Sequence, residues 1–271
     1  MRLTDKVIFI TGASRGIGAA SARQLAQRGA RLVLGARTAA PLQAVADDIR
    51  DAGGEALAVP LDVTDPASVQ AAVDVALARY GRIDVLINNA GNGGALGFLL
   101  DTDPDATRAM FEVHVFGAER MTRAVLPAML AQGGGRVVNV VSTVGYVPMP
   151  GAAAYCAAKA AVIALTEALR GELADHPVTL VLFSPPHTQT EAGRDWPLDL
   201  PRTFQPDEAA AALVATLQRD RRDWLAGGNQ TLLWLQRISP RWAAGIMRGI
   251  GLDATRKALA LKAPALAPPG T

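Results

Sequence analysis

The chain has 271 residues, of which 50% are hydrophobic and 19% charged, with a net charge of +2 at pH 7. This length can bury a substantial core in one α/β domain, and the near-neutral charge gives no sign of a nucleic-acid partner. No apolar stretch reaches the ~18 residues that a membrane-spanning helix needs. The N-terminus leads directly into a predicted strand and leaves no room for a signal peptide. Since the single cysteine, Cys156, has no partner for an internal disulfide, we expect a soluble, cytoplasmic protein.

Apolar runs of strand length alternate with helical patterns along the chain, which is typical of βαβ units and a parallel sheet. We predict one doubly wound Rossmann-type domain over residues 1–228, with a mostly parallel seven-stranded sheet flanked by helices. Residues 229–271 are predicted to be a helical extension and not an independent domain. The predicted strands are Val7–Thr11, Arg31–Ala36, Ala56–Leu61, Val85–Asn88, Arg136–Ser142, Val178–Phe183 and Trp224–Ala226.

Several helix ends are also marked in the sequence. The first helix is predicted to run from Gly16 to Arg28 and to end at Gly29. The dipeptides Asp65-Pro66 and Asp103-Pro104 each place an acidic N-cap before a proline at the first helical position. Two further helices are therefore predicted to begin at these prolines.

A glycine-rich turn lies between the first predicted strand and the first predicted helix. Its glycines, spaced GxxxGxG, permit a sharp turn and let a phosphate approach the amides at the helix N-terminus. An ordinary βα loop is the alternative, but the strand before and the helix after are the context that a dinucleotide site requires. The turn residues assigned to the cofactor are Gly12, Ser14, Arg15, Gly16, Ile17 and Gly18.

The end of the second predicted strand indicates which nucleotide binds. An acid at this place would bind the ribose hydroxyls of NAD(H) and repel a 2′-phosphate, but the sequence has Ala36 followed by Arg37. A guanidinium is permanently charged and suits a phosphate, and Arg15 can reach the same group. Two solvated arginines are the alternative interpretation, but their positions favour NADP(H) over NAD(H).

Further predicted cofactor contacts lie where the third and fourth strands end. Asp62 can hydrogen-bond the adenine amine, and small residues after the fourth strand can pass beneath the adenosine ribose. Either segment can also be an ordinary turn at a strand end. The residues assigned to these contacts are Asp62, Val63, Asn89, Ala90 and Gly91.

A candidate acid–base pair lies further along the chain. Tyr155 and Lys159 are four residues apart, so both side chains emerge on one face of a helix. A phenol has a pKa of about 10, and a neighbouring ammonium is expected to lower the pKa of Tyr155 toward the working range. Ser142, at the end of the fifth predicted strand, can hydrogen-bond a carbonyl oxygen. The spacing alone is common by chance, but with Ser142 and the glycine turn it predicts an acid–base catalyst beside the nucleotide.

The chain resembles the short-chain dehydrogenase/reductase family, in its compact single-domain branch, over about residues 4–220. The resemblance implies that Tyr155 is the acid–base catalyst, that Lys159 also binds the nicotinamide ribose and that Ser142 steadies the carbonyl. It also implies a homodimer or homotetramer and says almost nothing about the substrate. The segments that carry it are Thr11–Gly18, Asn88–Gly91, Ser142, Tyr155–Lys159 and Pro185 to Thr190.

The chain departs from the family pattern at two places. His114 replaces an asparagine that helps to hold a water-linked proton relay to the lysine, and an imidazole, which can donate and accept, can serve there. A structural histidine bonded to backbone is the alternative. Pro186 replaces a glycine and removes one amide donor. This puts in question the fit at the nicotinamide end, which is assigned to Pro185, Thr188 and Thr190.

The substrate side is predicted to be apolar. The loop at 92–100 and the segment after Thr190 are expected to enclose a small carbonyl or alcohol, unless their apolar side chains only pack. The side chains in question in that segment are Trp196, Leu198, Leu200 and Phe204.

The C-terminal extension is basic. Residues 231–271 carry six basic groups and one acid, a net of +5, whereas the preceding 230 residues have a net of −3. A basic amphipathic segment can lie on an anionic membrane surface. We favour the alternative, in which helices cap the substrate cleft or the subunit interface and leave the arginines in solvent.

The resulting hypothesis is an NADPH-dependent reductase of a ketone or aldehyde, or an enzyme that catalyses the reverse oxidation of an alcohol, without a metal site. A non-catalytic NADP(H)-binding sensor or scaffold of the same fold is the alternative from another functional class.

Overall fold

The computed structural model describes residues 1–94, 96–191, 196–198, 202–219, 223–225 and 227–262. Its strands form one sheet in the order β3-β2-β1-β4-β5-β6-β7, in which every neighbouring pair is parallel. This topology confirms the predicted doubly wound fold. The strands are β1 (Val7–Thr11), β2 (Arg31–Ala36), β3 (Glu55–Pro60), β4 (Val85–Asn88), β5 (Gly135–Val140), β6 (Val178–Ser184) and β7 (Asp223–Leu225).

Helices connect the strands and continue beyond the last one. Asp65 and Asp103 accept hydrogen bonds from the amides of Ala67 and Asp105, which confirms both predicted caps. A π-helical turn, Glu112–Phe116, joins the fourth and fifth helices. The α-helices are α1 (Gly16–Ala26), α2 (Ala39–Asp51), α3 (Pro66–Tyr80), α4 (Pro104–Phe111), α5 (Gly117–Ala131), α6 (Ala153–Glu172), α7 (Pro206–Gln218), α8 (Gly227–Ile238) and α9 (Pro240–Lys262).

Both faces of the sheet are buried. Alternate strand residues, such as Ile8 and Leu34, join one core cluster with side chains of α1, α2 and α7. Their neighbours, such as Phe9 and Val33, join a second cluster with side chains of α3 and α5. Burial on two sides explains why these strands are near-continuous apolar runs in the sequence.

Some predicted bounds were wrong. The fifth strand ends at Val140, so Ser142 lies two residues beyond it, at the start of a short 3₁₀ turn. Helix α1 ends at Ala26 and not at Arg28, because the amides of Arg28 and Gly29 bond to carbonyls three residues back, which tightens the chain into the turn at Gly29. Ala226, predicted in the last strand, lies outside the described residues.

The C-terminal helices pack over the carboxyl edge of the sheet. Ala243 and Met247 of α9 are buried in a cluster with Met149 and Leu96. A Cβ on Gly151 would lie 1.7 Å from Oγ1 of Thr255, so α9 touches the loop before α6 without a gap. Within the described residues, no helix combines the length and the apolar character that a membrane crossing requires.

Candidate active site

The predicted site residues converge at the carboxyl edge of the sheet. The glycine turn follows β1, and the loops after β4, β5 and β6 lie beside it because β1, β4, β5 and β6 are consecutive in the sheet. In an open parallel sheet this edge, where the strand order reverses, is where ligands bind.

Close packing shapes the glycine turn. Gly12 and Gly16 have φ values of +67° and +56°, a region that favours glycine. A Cβ on Gly12 would lie 2.8 Å from Cα of Ala90. Asn89 fixes the turn to the fourth strand, because its Nδ2 donates to the carbonyls of Thr11 and Gly12 at 3.0 and 3.1 Å. Asn89 and Ala90 therefore build the turn, whatever they contact in a ligand.

The first turn of α1 suits an anion. Arg15 is the N-cap residue, and its side chain does not cap the helix, so the first amides are free of that hydrogen bond and suit an anion. Ser14 and Ile17 flank this end, and Thr190 lies beside Gly16, since a Cβ there would be 3.3 Å from Cγ2 of Thr190. These residues fit the pyrophosphate of a dinucleotide.

The two arginines assigned to the 2′-phosphate have different surroundings. Arg15 forms an ion pair with Glu191, an acid that the sequence argument did not place here. Arg37 is exposed, and its charge helps to lower the pKa of Asp62. The main cause of that lowered pKa is the hydrogen bond that the Asp62 carboxylate accepts from the amide of Thr64. Arg37 is thus the freer cation at the end of β2.

The structure brings Ser142, Tyr155 and Lys159 together. The Ser142 side chain lies close enough to the Tyr155 hydroxyl to lower the pKa of Tyr155 by hydrogen bonding. Lys159 lies on the same face of α6, with Nζ 5.6 Å from the centre of the tyrosine ring, and donates to the carbonyl of Val140 at 2.8 Å. A carbonyl substrate bound at Tyr155 would therefore lie beside the hydroxyls of Tyr155 and Ser142, with the amine of Lys159 behind them.

The prediction that the pKa of Tyr155 is lowered was wrong, because the surrounding protein groups raise it. Burial raises the pKa of Tyr155 to about 12, and the hydrogen bond from Ser142 offsets only part of this. Burial also lowers the pKa of Lys159 to about 7, so the amine is only partly charged at neutral pH. Desolvation dominates the pKa of Tyr155, and Lys159, on whose charge the expectation rested, is not among the groups that shift it.

His114 lies in the π-helical turn and faces Tyr155. The two rings meet edge to face with their centres 5.5 Å apart. Nε2 of His114 lies 2.8 Å from the carbonyl oxygen of Asn92 and 3.3 Å from the amide nitrogen of the same residue. A carbonyl oxygen can only accept, so the shorter contact assigns Nε2 as the donor and Nδ1 as the acceptor. Burial and the charge of Lys159 lower the pKa of His114 to about 3. A Cβ on Gly91 would lie 2.2 Å from Cε1 of this ring, which locks the imidazole against the loop.

A small polar cavity lies beside Lys159 and His114. It has about 10 Å³ for the centre of a water molecule, roughly the minimum that one water needs, and Thr11, Asn88, His114 and Lys159 are among its lining residues. Nδ1 of His114 and Oδ1 of Asn88 are buried and have no hydrogen-bond partner among the residues that the structure describes. The sequence analysis did not assign Asn88 to the site. The pattern that could have identified it is a polar asparagine at the end of a buried apolar strand.

The nicotinamide end is more constrained than the sequence suggested. The Thr188 hydroxyl donates to the carbonyl of Pro186 at 2.8 Å, and Thr188 pairs with Phe204 in an isolated β-bridge. The Thr188 hydroxyl can still accept a hydrogen bond. Pro185 is half-buried beside them.

An apolar wall stands on the substrate side of Tyr155. Trp196 meets the tyrosine ring edge to face at 5.2 Å and donates from Nε1 to the carbonyl of Gly94 at 2.9 Å. Leu96 and Leu198 belong to the same cluster, so these side chains pack together beside Tyr155. Leu200 lies outside the described residues. In the described ranges, no group of three or more His, Cys, Asp and Glu side chains can hold a metal ion.

The chain is similar to known proteins over most of its length. The family model "short chain dehydrogenase" matches residues 6–200. Oxidoreductase UcpA of Escherichia coli is 39% identical over 190 residues, which cover 70% of this chain and 72% of that protein. Ketoacyl reductase HetN of a Nostoc species is 32% identical over 264 residues, 92% and 91% of the two chains. A 3-ketoacyl-(acyl-carrier-protein) reductase from Brucella melitensis, solved with NADH, has a TM-score of 0.72 and 34% identity, and the match covers 79% of this chain and 91% of that one.

Proposed function

This chain belongs to the short-chain dehydrogenase/reductase family, and we propose that, as an oxidoreductase of this family, it uses NADPH to reduce a ketone or aldehyde. The observation that carries the proposal is the convergence of Ser142, Tyr155 and Lys159 beside an uncapped helix N-terminus at the edge of the sheet. When bound, the nicotinamide supplies a hydride to the carbonyl carbon.

Tyr155 is the proton donor in this proposal. Because burial raises its pKa to about 12, it holds its proton at neutral pH, which is the form that reduction needs. Ser142 bonds the same hydroxyl and aligns the oxygen that receives the proton. Lys159, held by the carbonyl of Val140, is placed to bind the nicotinamide ribose and to return a proton to Tyr155.

The polar cavity supports a proton path behind Lys159. Nδ1 of His114 and Oδ1 of Asn88 are acceptors, and Lys159 is a donor, so one water between them satisfies all three. His114 is then a positioning residue: it stays neutral and holds the water through Nδ1 while Nε2 donates to Asn92.

Arg37 is the proposed partner of the 2′-phosphate, with Arg15 shared between that group and Glu191. The proposed substrate is apolar beside its carbonyl, because an apolar cluster that includes Trp196, Leu96 and Leu198 packs against Tyr155. Since HetN and the Brucella protein are named as ketoacyl reductases, ketoacyl thioesters belong in the first substrate panel. We further propose that the protein is a homodimer or homotetramer and that residues 229–271 are part of the catalytic unit.

The test is Tyr155→Phe, which keeps the ring and removes the proton donor. Oxidation of NADPH with a panel of ketones, aldehydes and ketoacyl thioesters should fall by about a thousandfold, because general acid catalysis contributes a factor of this order. Binding of NADPH, measured by calorimetry, should stay within about twofold of the parent. Turnover that survives in Tyr155→Phe would show that another group donates the proton.

A further inference from the structure

The outer face of α8 and of the first half of α9 carries an unusual apolar stripe. Trp234, Ile238, Trp242 and Ile246, called here the Trp–Ile stripe, have exposures of 69%, 63%, 74% and 48%. Trp234 and Ile238 are four residues apart on α8, and Trp242 and Ile246 are four residues apart on α9, so each pair lies on one face of its helix. Two tryptophans this exposed mark a surface that contacts something other than water.

The stripe is not a consequence of how α9 packs on the domain. The residues that follow Trp242 and Ile246 in sequence, Ala243 and Met247, are buried in the cluster around Met149. Helix α9 therefore has one apolar side that packs inward and a second that faces out. The inward face of α9 is available to cap the cleft, and its outward face is available for a membrane contact. The two roles considered for the extension therefore involve opposite faces of the same helix.

The charge around the stripe has one sign. Exposed Arg237, Arg241 and Arg248 lie along it, and from Leu225 to Leu252 the sequence has no Asp or Glu. In the part of the chain that the structure describes, no carboxylate forms an ion pair with these three arginines. The face is thus complementary to a negatively charged surface. A second copy of the same face would bring like charges together.

We propose that the Trp–Ile stripe docks the protein on an anionic lipid surface, with α8 and α9 in the headgroup region and not across the bilayer. Tryptophan suits this region because its ring is apolar while its N–H finds polar partners. Arginine stems extend along apolar surface and place the guanidinium among phosphates. A surface helix with an apolar face and basic flanks has this binding mode. The proposal is independent of the chemistry at Tyr155.

The experiment is sedimentation of the purified full chain with vesicles of phosphatidylcholine, with or without an equal part of phosphatidylglycerol. The protein should bind only the anionic vesicles and should be released by salt, since screening weakens exposed charges. Tryptophan emission should shift to the blue on binding. Trp196 is buried and Trp224 half-buried, so the shift reports Trp234 and Trp242.

Two variants identify the surface. Trp234→Gln with Trp242→Gln should weaken vesicle binding by about tenfold or more, and Arg237→Gln with Arg241→Gln and Arg248→Gln should remove the preference for phosphatidylglycerol. The matched control is Val75→Ser with Arg79→Gln, an exposed apolar and basic pair on α3. It should bind as the parent does, and all variants should keep the parent circular dichroism spectrum.

Three outcomes would overturn the proposal. The parent protein can fail to bind either vesicle, or the double tryptophan variant can bind as tightly as the parent. The third outcome is a parent oligomer that binds no vesicle and dissociates in the double tryptophan variant, as measured by light scattering. In that case the stripe is a subunit interface.

Discussion

Burial decides the charge of the two ionisable side chains that surround Tyr155. His114 stays neutral across the range of ordinary assays because its pKa is lowered to about 3, and Lys159 titrates near neutrality because its pKa is lowered to about 7. The stability of the protein is therefore linked to the protonation of these buried groups. The linkage is measurable without any substrate.

Replacing His114 should change how stability depends on pH. The unfolded chain protonates this histidine near its ordinary pKa of 6.5, whereas the folded chain resists protonation down to about 3. The stability that neutral His114 contributes is therefore complete above pH 6.5. Below that pH the free energy of unfolding falls by up to about 1.4 kcal/mol per pH unit. His114→Asn should flatten the fall in the free energy of unfolding between about pH 6.5 and about pH 4.5, measured with urea. Exposed His176→Asn is the control; an equal slope in His114→Asn and the parent would contradict the buried neutral state.

Arg37 tests the proposed nucleotide preference. Arg37→Asp removes a phosphate partner and adds a repelling charge, so the Kd for NADPH should rise by about a hundredfold while the Kd for NADH changes little. Calorimetric titration with both nucleotides measures this. Arg28→Asp makes the same charge change at another exposed arginine and should leave the ratio of the two constants unaltered. Equal weakening of NADPH binding and NADH binding would contradict the assignment of Arg37 to the 2′-phosphate.

At the scale of elements, the contact between α9 and the loop before α6 links the extension to the helix that carries Tyr155 and Lys159. Gly151 has φ +83° and would place a Cβ 1.7 Å from Oγ1 of Thr255. Gly53 has almost the same backbone, φ +82°, but open space around it. A substitution at either position therefore causes the same backbone strain, but only a substitution at Gly151 also causes a steric clash.

Gly53→Ala should cost about 1 kcal/mol, the usual penalty for alanine in a left-handed conformation. Gly151→Ala should cost about 2 kcal/mol more, because α9 must move or repack. The free energy of unfolding of each variant, from denaturant titration, gives the difference. Similar losses in both variants would mean that α9 does not press on this loop in solution.

The sequence predicted the elements that depend on local pattern. β1, β2 and β4 were bounded to the residue because apolar runs buried on both faces stop where polar residues begin. The π-helical turn was not predicted, since the helical pattern runs through residues 104–131 without a break. The ion pair between Arg15 and Glu191 was also missed, because partners 176 residues apart leave no local signal. The pKa of Tyr155 depends on burial, which spacing alone does not give.

Across the whole molecule, the two edges of the sheet have different roles. Asp84 lies at the amino edge, where its carboxylate accepts from the amide of Val7 at 2.9 Å and pairs with Lys6 and Arg82 at 3.1 and 2.6 Å. These contacts hold the starts of β1 and β4 together. The candidate site lies at the opposite edge of the sheet, so a substitution at Asp84 should change the stability of the protein without changing nucleotide binding.

Asp84→Asn should lower the free energy of unfolding by about 2 kcal/mol, because charged hydrogen bonds to a buried group are lost. The Kd for NADPH should stay within about twofold of the parent. Asp47→Asn removes an exposed carboxylate that pairs with Arg50 on α2, and its effect should be below about 0.5 kcal/mol. A large loss of NADPH affinity in folded Asp84→Asn would show that the two edges are coupled.

The contact between Gly91 and His114 also constrains which residues the two positions can hold together. A side chain at position 91 would place its first carbon 2.2 Å from the imidazole, so a larger residue there conflicts with this histidine. Substitutions at such touching positions do not combine independently. Position 91 can therefore accept a side chain only together with a smaller residue at position 114.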